Sequence, residues 1–289
     1  MKRFLFAVLI LVLLPLAFSW GEEVYCRYEA AGAVHYGKVE GESIHQLDQA
    51  PWDGGQATGR TIPVKEARLL HPSVPQKIFG ISGSYKEAWA GGKKPFNTIR
   101  WFLKPPSAAA SPDEDVILPA SLDELEVETE LVLVIGKRVK NAGLDEAKES
   151  IFGYTVGNDI VGSATSYHRV NSEPLDQPEA LLGPGLKIGD GFAPFGPFIH
   201  RGVDWRNRER ALKVSNPSQN KELIYKHNTS NMLFPPEKIV SDLSRVCVLE
   251  PGDIIFTGTT AALPARAGDI MEITVEGLGT LVNRVKAAP

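Results

Sequence analysis

Only two cysteines, Cys26 and Cys247, occur in 289 residues. That is too few for a disulfide framework in so long a domain, and both are expected as buried free thiols in strand-like segments. No cluster of lysine and arginine, and no interleaving of basic with aromatic residues, marks a nucleic-acid surface. There is no solenoid repeat and no low-complexity tract. The net charge of −4 excludes a strongly basic or acidic partner surface. What remains is a chain of ordinary soluble-enzyme composition, long enough for one moderately large core or a small domain plus a larger one.

Met1-Lys2-Arg3 precedes an uncharged run from Phe4 to Trp20 that holds a single proline, Pro15. A basic start followed by such a run is a secretory leader pattern, and Ala17 and Ser19 suit cleavage near Ser19. The alternative is an uncleaved membrane anchor, since the run is close to the minimum span of about 17 residues. The folded part is therefore expected to be exported, periplasmic or secreted, or anchored and facing outside. Cys26 lacks the context of a lipoprotein cleavage site, so no lipid anchor is expected. Losing Lys2 and Arg3 takes the net charge to about −6.

Short strands and turns follow from Glu23 to Leu70, with Gly54-Gly55 and Gly59 as loop punctuation. They predict a small N-terminal β domain over 20–72, ending near His71-Pro72, and a larger domain over 73–289. In the latter, strands are expected over Lys77 to Ile81, Trp101 to Lys104, Glu126 to Ile135, Phe152 to Ile160, Ala193 to Ile199, Ala211 to Ser215, Ile254 to Thr257 and Ile270 to Val275. Helices are expected over Leu144 to Ile151 and Pro235 to Leu243. The fold class is thus β-rich α+β.

The most informative segment is Glu128-Thr129-Glu130 running into Leu131-Val132-Leu133-Val134-Ile135-Gly136-Lys137. In a strand, residues i and i+2 share a face roughly 7 Å apart, so the two glutamates would point together at the mouth of a buried strand. Desolvating them without a partner costs several kcal/mol. A hard divalent cation removes that cost and supplies a Lewis acid, and Asp159, ending the next apolar segment, is a candidate third ligand. Alone, a Glu-x-Glu pair at a strand start is more often a solvated face.

The wider string resembles the fumarylacetoacetate hydrolase family. It comprises the Glu128–Lys137 block, Gly153-Tyr154-Thr155-Val156-Gly157-Asn158-Asp159, Phe102-Leu103-Lys104-Pro105-Pro106-Ser107, Lys187-Ile188-Gly189-Asp190-Gly191, Asn228-Thr229-Ser230-Asn231-Met232, Pro251-Gly252-Asp253-Ile254-Ile255-Phe256-Thr257-Gly258-Thr259 and Gly279-Thr280-Leu281-Val282-Asn283. The resemblance implies rolled mixed β-sheets around a central cleft, a homodimer, and Mg²⁺ (or Mn²⁺ or Ca²⁺) held by Glu128, Glu130 and Asp159. It implies Lys187 and Thr259 as catalytic and substrate-orienting groups, and Tyr85 as a substrate contact. The expected substrate is a small 2-oxo or enol (di)carboxylate, activated as a metal-stabilised enolate.

Two departures matter. Ser163 and Ser166 stand where the family commonly has Arg and Gln, and a hydroxyl cannot replace a guanidinium in bidentate carboxylate recognition. They remain substrate-contact candidates, with Arg169 and His168 as compensating groups if their loop folds back over the site. Ala88 and Gly91 replace the histidine and glutamate that activate water in hydrolytic members, a loss of about 10²–10⁴-fold if unreplaced. Glu87 is the nearby substitute, although a surface glutamate is the plainer reading. None of the six histidines stands in a motif position. Isomerisation or decarboxylation is therefore favoured over C–C hydrolysis. The rival expectation is a metal- or ligand-binding protein that keeps the fold without turnover.

Overall fold

The computed structural model describes residues 21–89, 95, 97–162 and 187–289. The leader, Gly91, Ser163, Ser166, His168 and Arg169 lie outside them. The fold is β-rich, as expected, with mixed sheets and, among the described residues, α-helices at Leu144–Ser150 and Pro236–Val246.

Its spine is the strand Glu130–Ile135, in which every residue is buried. A run without polar alternation has to be covered on both faces. Alternate side chains meet different cores: Val132 and Val134 pack with Phe152, Phe195 and Phe256, while Leu133 and Ile135 pack with Phe79, Ile239 and Leu243. The sheet order is Ala57–Pro63, Ser43–Leu47, Ala33–Glu40, Glu23–Ala30, Phe198–Arg201, Ile151–Gly157, Glu130–Ile135, Ile254–Phe256, Ile78–Ser82, Arg100–Lys104. The N-terminal strands thus continue the sheet that contains the spine. Ile254–Phe256 and Ile78–Ser82 pair in parallel. A five-stranded sheet, Lys221–Asn228, Glu209–Asn216, Ile270–Val275, Gly279–Ala287 and Asp115–Leu118, closes the other side over Leu131, Val156 and Phe192.

Three local expectations are corrected. The segment from Glu126 to Ile135 is not one strand: it breaks at Glu128-Thr129, leaving Leu125–Val127 in a separate three-stranded sheet. The segment from Ala193 to Ile199 breaks around Gly196, whose φ of +119° is a conformation that side chains rarely adopt. Cys247 caps the C-terminus of helix Pro236–Val246 and is only half-buried, whereas Cys26 is buried; both are free. That helix opens with Pro236, whose missing N–H costs nothing in the first turn, and runs past the expected end at Leu243 to Val246.

Because the spine has no slack on either face, Leu133→Ala is expected to destabilise the protein by about 2–5 kcal/mol. Urea unfolding monitored by circular dichroism measures it, and a loss under about 0.5 kcal/mol would mean that Leu133 is not close-packed.

Candidate metal centre and cavity

The break at Glu128-Thr129 makes the site. The chain leaves one sheet at Val127 and enters the central sheet at Glu130, so both glutamates sit at a corner between sheets. The Glu128 N–H donates to the buried Asn158 Oδ1 at 2.9 Å. Glu130 pairs in register with Gly157, which brings the end of strand Ile151–Gly157, and Asp159 beyond it, to the same corner. Glu130 Oε2 accepts the Gly258 N–H at 2.5 Å. Gly258 has φ of +95°, and a Cβ there would fall 2.2 Å from Ser84 Oγ, so this loop requires glycine. One oxygen from each of Glu128, Glu130 and Asp159 lies within 4.8 Å of the other two. The convergence expected from a continuous strand is therefore produced by its interruption.

Two lysines flank the trio. Lys187 Nζ lies 2.7 Å from Asp159 Oδ2 and 4.7 Å from the centre of the Phe102 ring. Lys104 Nζ lies 2.5 Å from Asp159 Oδ1 and donates to the carbonyls of Ile160 (2.8 Å) and Phe192 (2.7 Å). Lys104 is 2% exposed, a burial that an ammonium tolerates only when paired. Reading the chain as a string missed it, although it stands inside the Phe102–Ser107 block. The available signal was a lone lysine ending an apolar strand.

The charges decide the protonation. Burial raises the Asp159 carboxyl, but Lys104 and then Lys187 outweigh it and hold Asp159 below its ordinary value. Glu128 is pushed up to about 7 by burial, with Asp159 adding to the rise and Lys187 opposing it. Glu130 is raised well above the ordinary range by burial, Asp159 and Glu128. Lys187 is held firmly protonated: burial opposes this, and Asp159, Glu128 and Glu130 overcome it. Three oxygen donors, two of them driven toward the protonated form by crowding, fit a hard divalent cation.

Beside the trio opens a cavity of about 500 Å³, lined by Glu128, Asp159, Lys187, Phe102, Thr259, Thr260 and Ala261, among others. Tyr85 is not in this wall. It is fully buried behind it, its hydroxyl 3.4 Å from Thr257 Oγ1 and its ring 4.1 Å beneath the Arg210 guanidinium. Glu87 accepts a hydrogen bond from Asn231 Nδ2 and is likewise absent from the lining. His227, which no motif flagged, lies behind Thr260 with Nδ1 2.5 Å from its hydroxyl.

The β-rich fold thus brings an acidic trio to a sheet corner beside a cavity of small-molecule size. Residues 77–286 match the family model described as fumarylacetoacetate (FAA) hydrolase C-terminal, and residues 25–72 match Rv2993c-like, N-terminal. The chain belongs to the fumarylacetoacetate hydrolase family. It is 34% identical to a fumarylacetoacetate hydrolase domain-containing protein 2 homolog of Dictyostelium discoideum, over 78% of this chain and 77% of that protein. It is 31% identical to the mitochondrial oxaloacetate tautomerase FAHD2B of Bos taurus, over 78% and 71%. The crystal structure of a 5-carboxymethyl-2-hydroxymuconate delta-isomerase from Mycobacterium smegmatis superposes with a TM-score of 0.78 at 30% identity, over 92% of this chain and all of that one.

The raised glutamates set the pH dependence of ion binding, because each proton still held must be displaced. Mn²⁺ affinity is expected to climb as pH rises from 5 to 8, by up to about tenfold per unit while one proton is released. The ion-free fold behaves oppositely. Its glutamates keep protons that the unfolded chain has lost, so its stability falls as pH rises from about 4.5 toward 7. Calorimetric titration at several pH values checks the first and thermal melts in chelator the second; a pH-independent affinity would remove Glu128 and Glu130 as ligands. Replacing Lys104 by Met strands two carbonyls and Asp159, and a loss of about 3–5 kcal/mol in urea unfolding is expected.

Proposed function

We propose that this protein is a metal-dependent enzyme that moves a proton on a small 2-oxo acid, interconverting its keto and enol forms or shifting a conjugated double bond. The observation that carries the reading is the meeting of three carboxylate oxygens within 4.8 Å at a cavity that Lys187 also lines. Glu128, Glu130 and Asp159 would hold a divalent cation, Mg²⁺ or Mn²⁺, whose positive charge would stabilise the enol(ate) form of a bound 2-oxo acid.

The chain's own groups do the rest. Lys187 Nζ keeps its proton and donates to the substrate carboxylate, acting as a fixed charge rather than as a base. The Thr259 hydroxyl, half-buried in the cavity wall and donating to the Ala261 carbonyl at 3.2 Å, would turn that long bond to the other end of the carboxylate when substrate binds. Asp159 stays ionised because two ammonium groups grip it. Proton transfer is favoured over C–C hydrolysis because Ala88 occupies the water-activating position, Glu87 is engaged by Asn231, and no histidine lines the cavity among the described residues. The tautomerase and isomerase relatives support the same choice.

Oxaloacetate keto–enol interconversion, followed by enol absorbance and corrected for free-metal catalysis, tests the reading. The Mn²⁺-loaded protein should accelerate it, chelator should remove the acceleration, and Glu128→Ala should lower kcat/KM by at least about 100-fold. Activity that survives Glu128→Ala rejects the metal site. Tight binding of 2-oxo acids with no turnover on any of them favours a binding protein that has lost catalysis.

A further inference from the structure

Thr260 lines the cavity and has no part in the metal centre. Thr260 Oγ1 lies 2.5 Å from His227 Nδ1 and 3.1 Å from the Tyr225 hydroxyl. His227 Nδ1 in turn lies 3.2 Å from Arg210 Nη2. The other terminal nitrogen of Arg210 is committed to the carbonyls of Gly258 (2.9 Å) and Thr129 (3.2 Å). Arg210 is fully buried and His227 is 9% exposed, so this is a fixed network rather than a surface contact.

Its polarity is set by the donor inventory. A guanidinium offers donors only and does not deprotonate. The nitrogen that faces it must therefore carry the lone pair, which places the imidazole proton on Nε2. Burial, and then the Arg210 charge, push His227 down to about 3, so the ring is neutral in the physiological range. The short contact at Nδ1 is then the Thr260 O–H donating inward, and the Tyr225 hydroxyl is left to donate to Thr260 Oγ1. With its proton spent, Thr260 has only a lone pair to offer the cavity. A carboxylate or carbonyl placed there meets lone pair against lone pair; a hydroxyl is satisfied.

We propose that Thr260 is a specificity-determining residue that accepts a hydrogen bond from a substrate hydroxyl, with His227 and Arg210 as its positioning residues. The site would thereby favour a 2-oxo acid with a hydroxylated tail over one that ends in a second carboxylate. The rest of the wall agrees. Ile81, Phe102, Val161 and Ala261 are apolar, Glu126 is acidic, and Lys187 is the one cation among the described lining residues. The inference rests on the 2-oxo acid reading above.

The test is calorimetric binding to the full-length, Mn²⁺-loaded protein of three four-carbon acids: 2-oxobutanoate, 4-hydroxy-2-oxobutanoate and oxaloacetate. The hydroxylated acid is expected to bind about tenfold more tightly than 2-oxobutanoate and oxaloacetate. Thr260→Val should erase that preference without changing Mn²⁺ affinity or the affinity for 2-oxobutanoate, and Thr260→Ser should retain it. His227→Gln, whose amide oxygen accepts from both Arg210 and Thr260, should keep the preference, whereas His227→Leu should lose it. Equal affinities in the native protein, or a preference that survives Thr260→Val, overturns the inference and leaves the metal centre standing. Failure of all three acids to bind to the Mn²⁺-loaded protein overturns both.

Discussion

Asp159 is held from both sides, by Lys104 on one carboxylate oxygen and Lys187 on the other. Without that grip, three carboxylates could not share a corner in which Glu130 and Asp159 are almost wholly out of water. Charges at such separations repel by several kcal/mol at the effective dielectric of a protein interior. Two ammonium groups cover only part of the deficit. They secure Asp159, and burial together with the remaining repulsion emerges as raised values for Glu128 and Glu130. The protein thus stores an unmet demand for positive charge at one point. A divalent cation would meet that demand, and the same point opens onto the cavity.

Arg210 links this centre to the far wall. It touches the Thr129 carbonyl between the two glutamates and the Gly258 carbonyl beside Thr259, and it packs over Tyr85. Both carbonyls belong to segments that face the site, and both hang from one guanidinium on the five-stranded sheet. Displacing either sheet would therefore move the Glu130 corner and the Thr259 loop together. The positions of the carboxylates and of the wall hydroxyls are fixed by a common strut. Tyr85 contributes as the apolar face beneath that strut rather than as a group in the cavity.

How much of this was legible in the chain differs by residue. The buried spine could be read because Leu131 to Ile135 is an unbroken apolar run, and Glu128, Glu130, Asp159, Lys187 and Thr259 could be placed because they sit in ordered blocks. The break at Glu128-Thr129 was hidden, since glutamates at 126, 128 and 130 keep a strand-like alternation running through it and only pairing with different sheets reveals it. Lys104 was visible as a residue and invisible as a partner, because Asp159 lies several strands further along the chain and no local periodicity connects the two. Arg210 and His227 alternate with polar neighbours on strands that read as half-exposed. Their burial depends on which face the sheet turns inward, and a single strand does not state that.

The metal corner and the wall carry different parts of the chemistry. A divalent cation held by the acidic trio, beside a fixed lysine, would make a proton next to a carbonyl labile, and by itself it would not distinguish a tautomerase from an isomerase or a hydrolase. On the proposed reading the fate of an enolate depends on which groups surround it: Ala88 stands where the resemblance puts the water-activating histidine, and the cavity wall holds Thr260, whose hydroxyl is engaged by His227. Without a base to activate water, attack on a substrate carbonyl is slowed, which would leave protonation of an enolate as the accessible course. A wall that accepts hydrogen bonds stabilises neutral hydroxyls and penalises additional anions. On the proposed reading the two features would act in the same direction, toward proton transfer and preference for a substrate with one carboxylate, and both lie outside the three carboxylates.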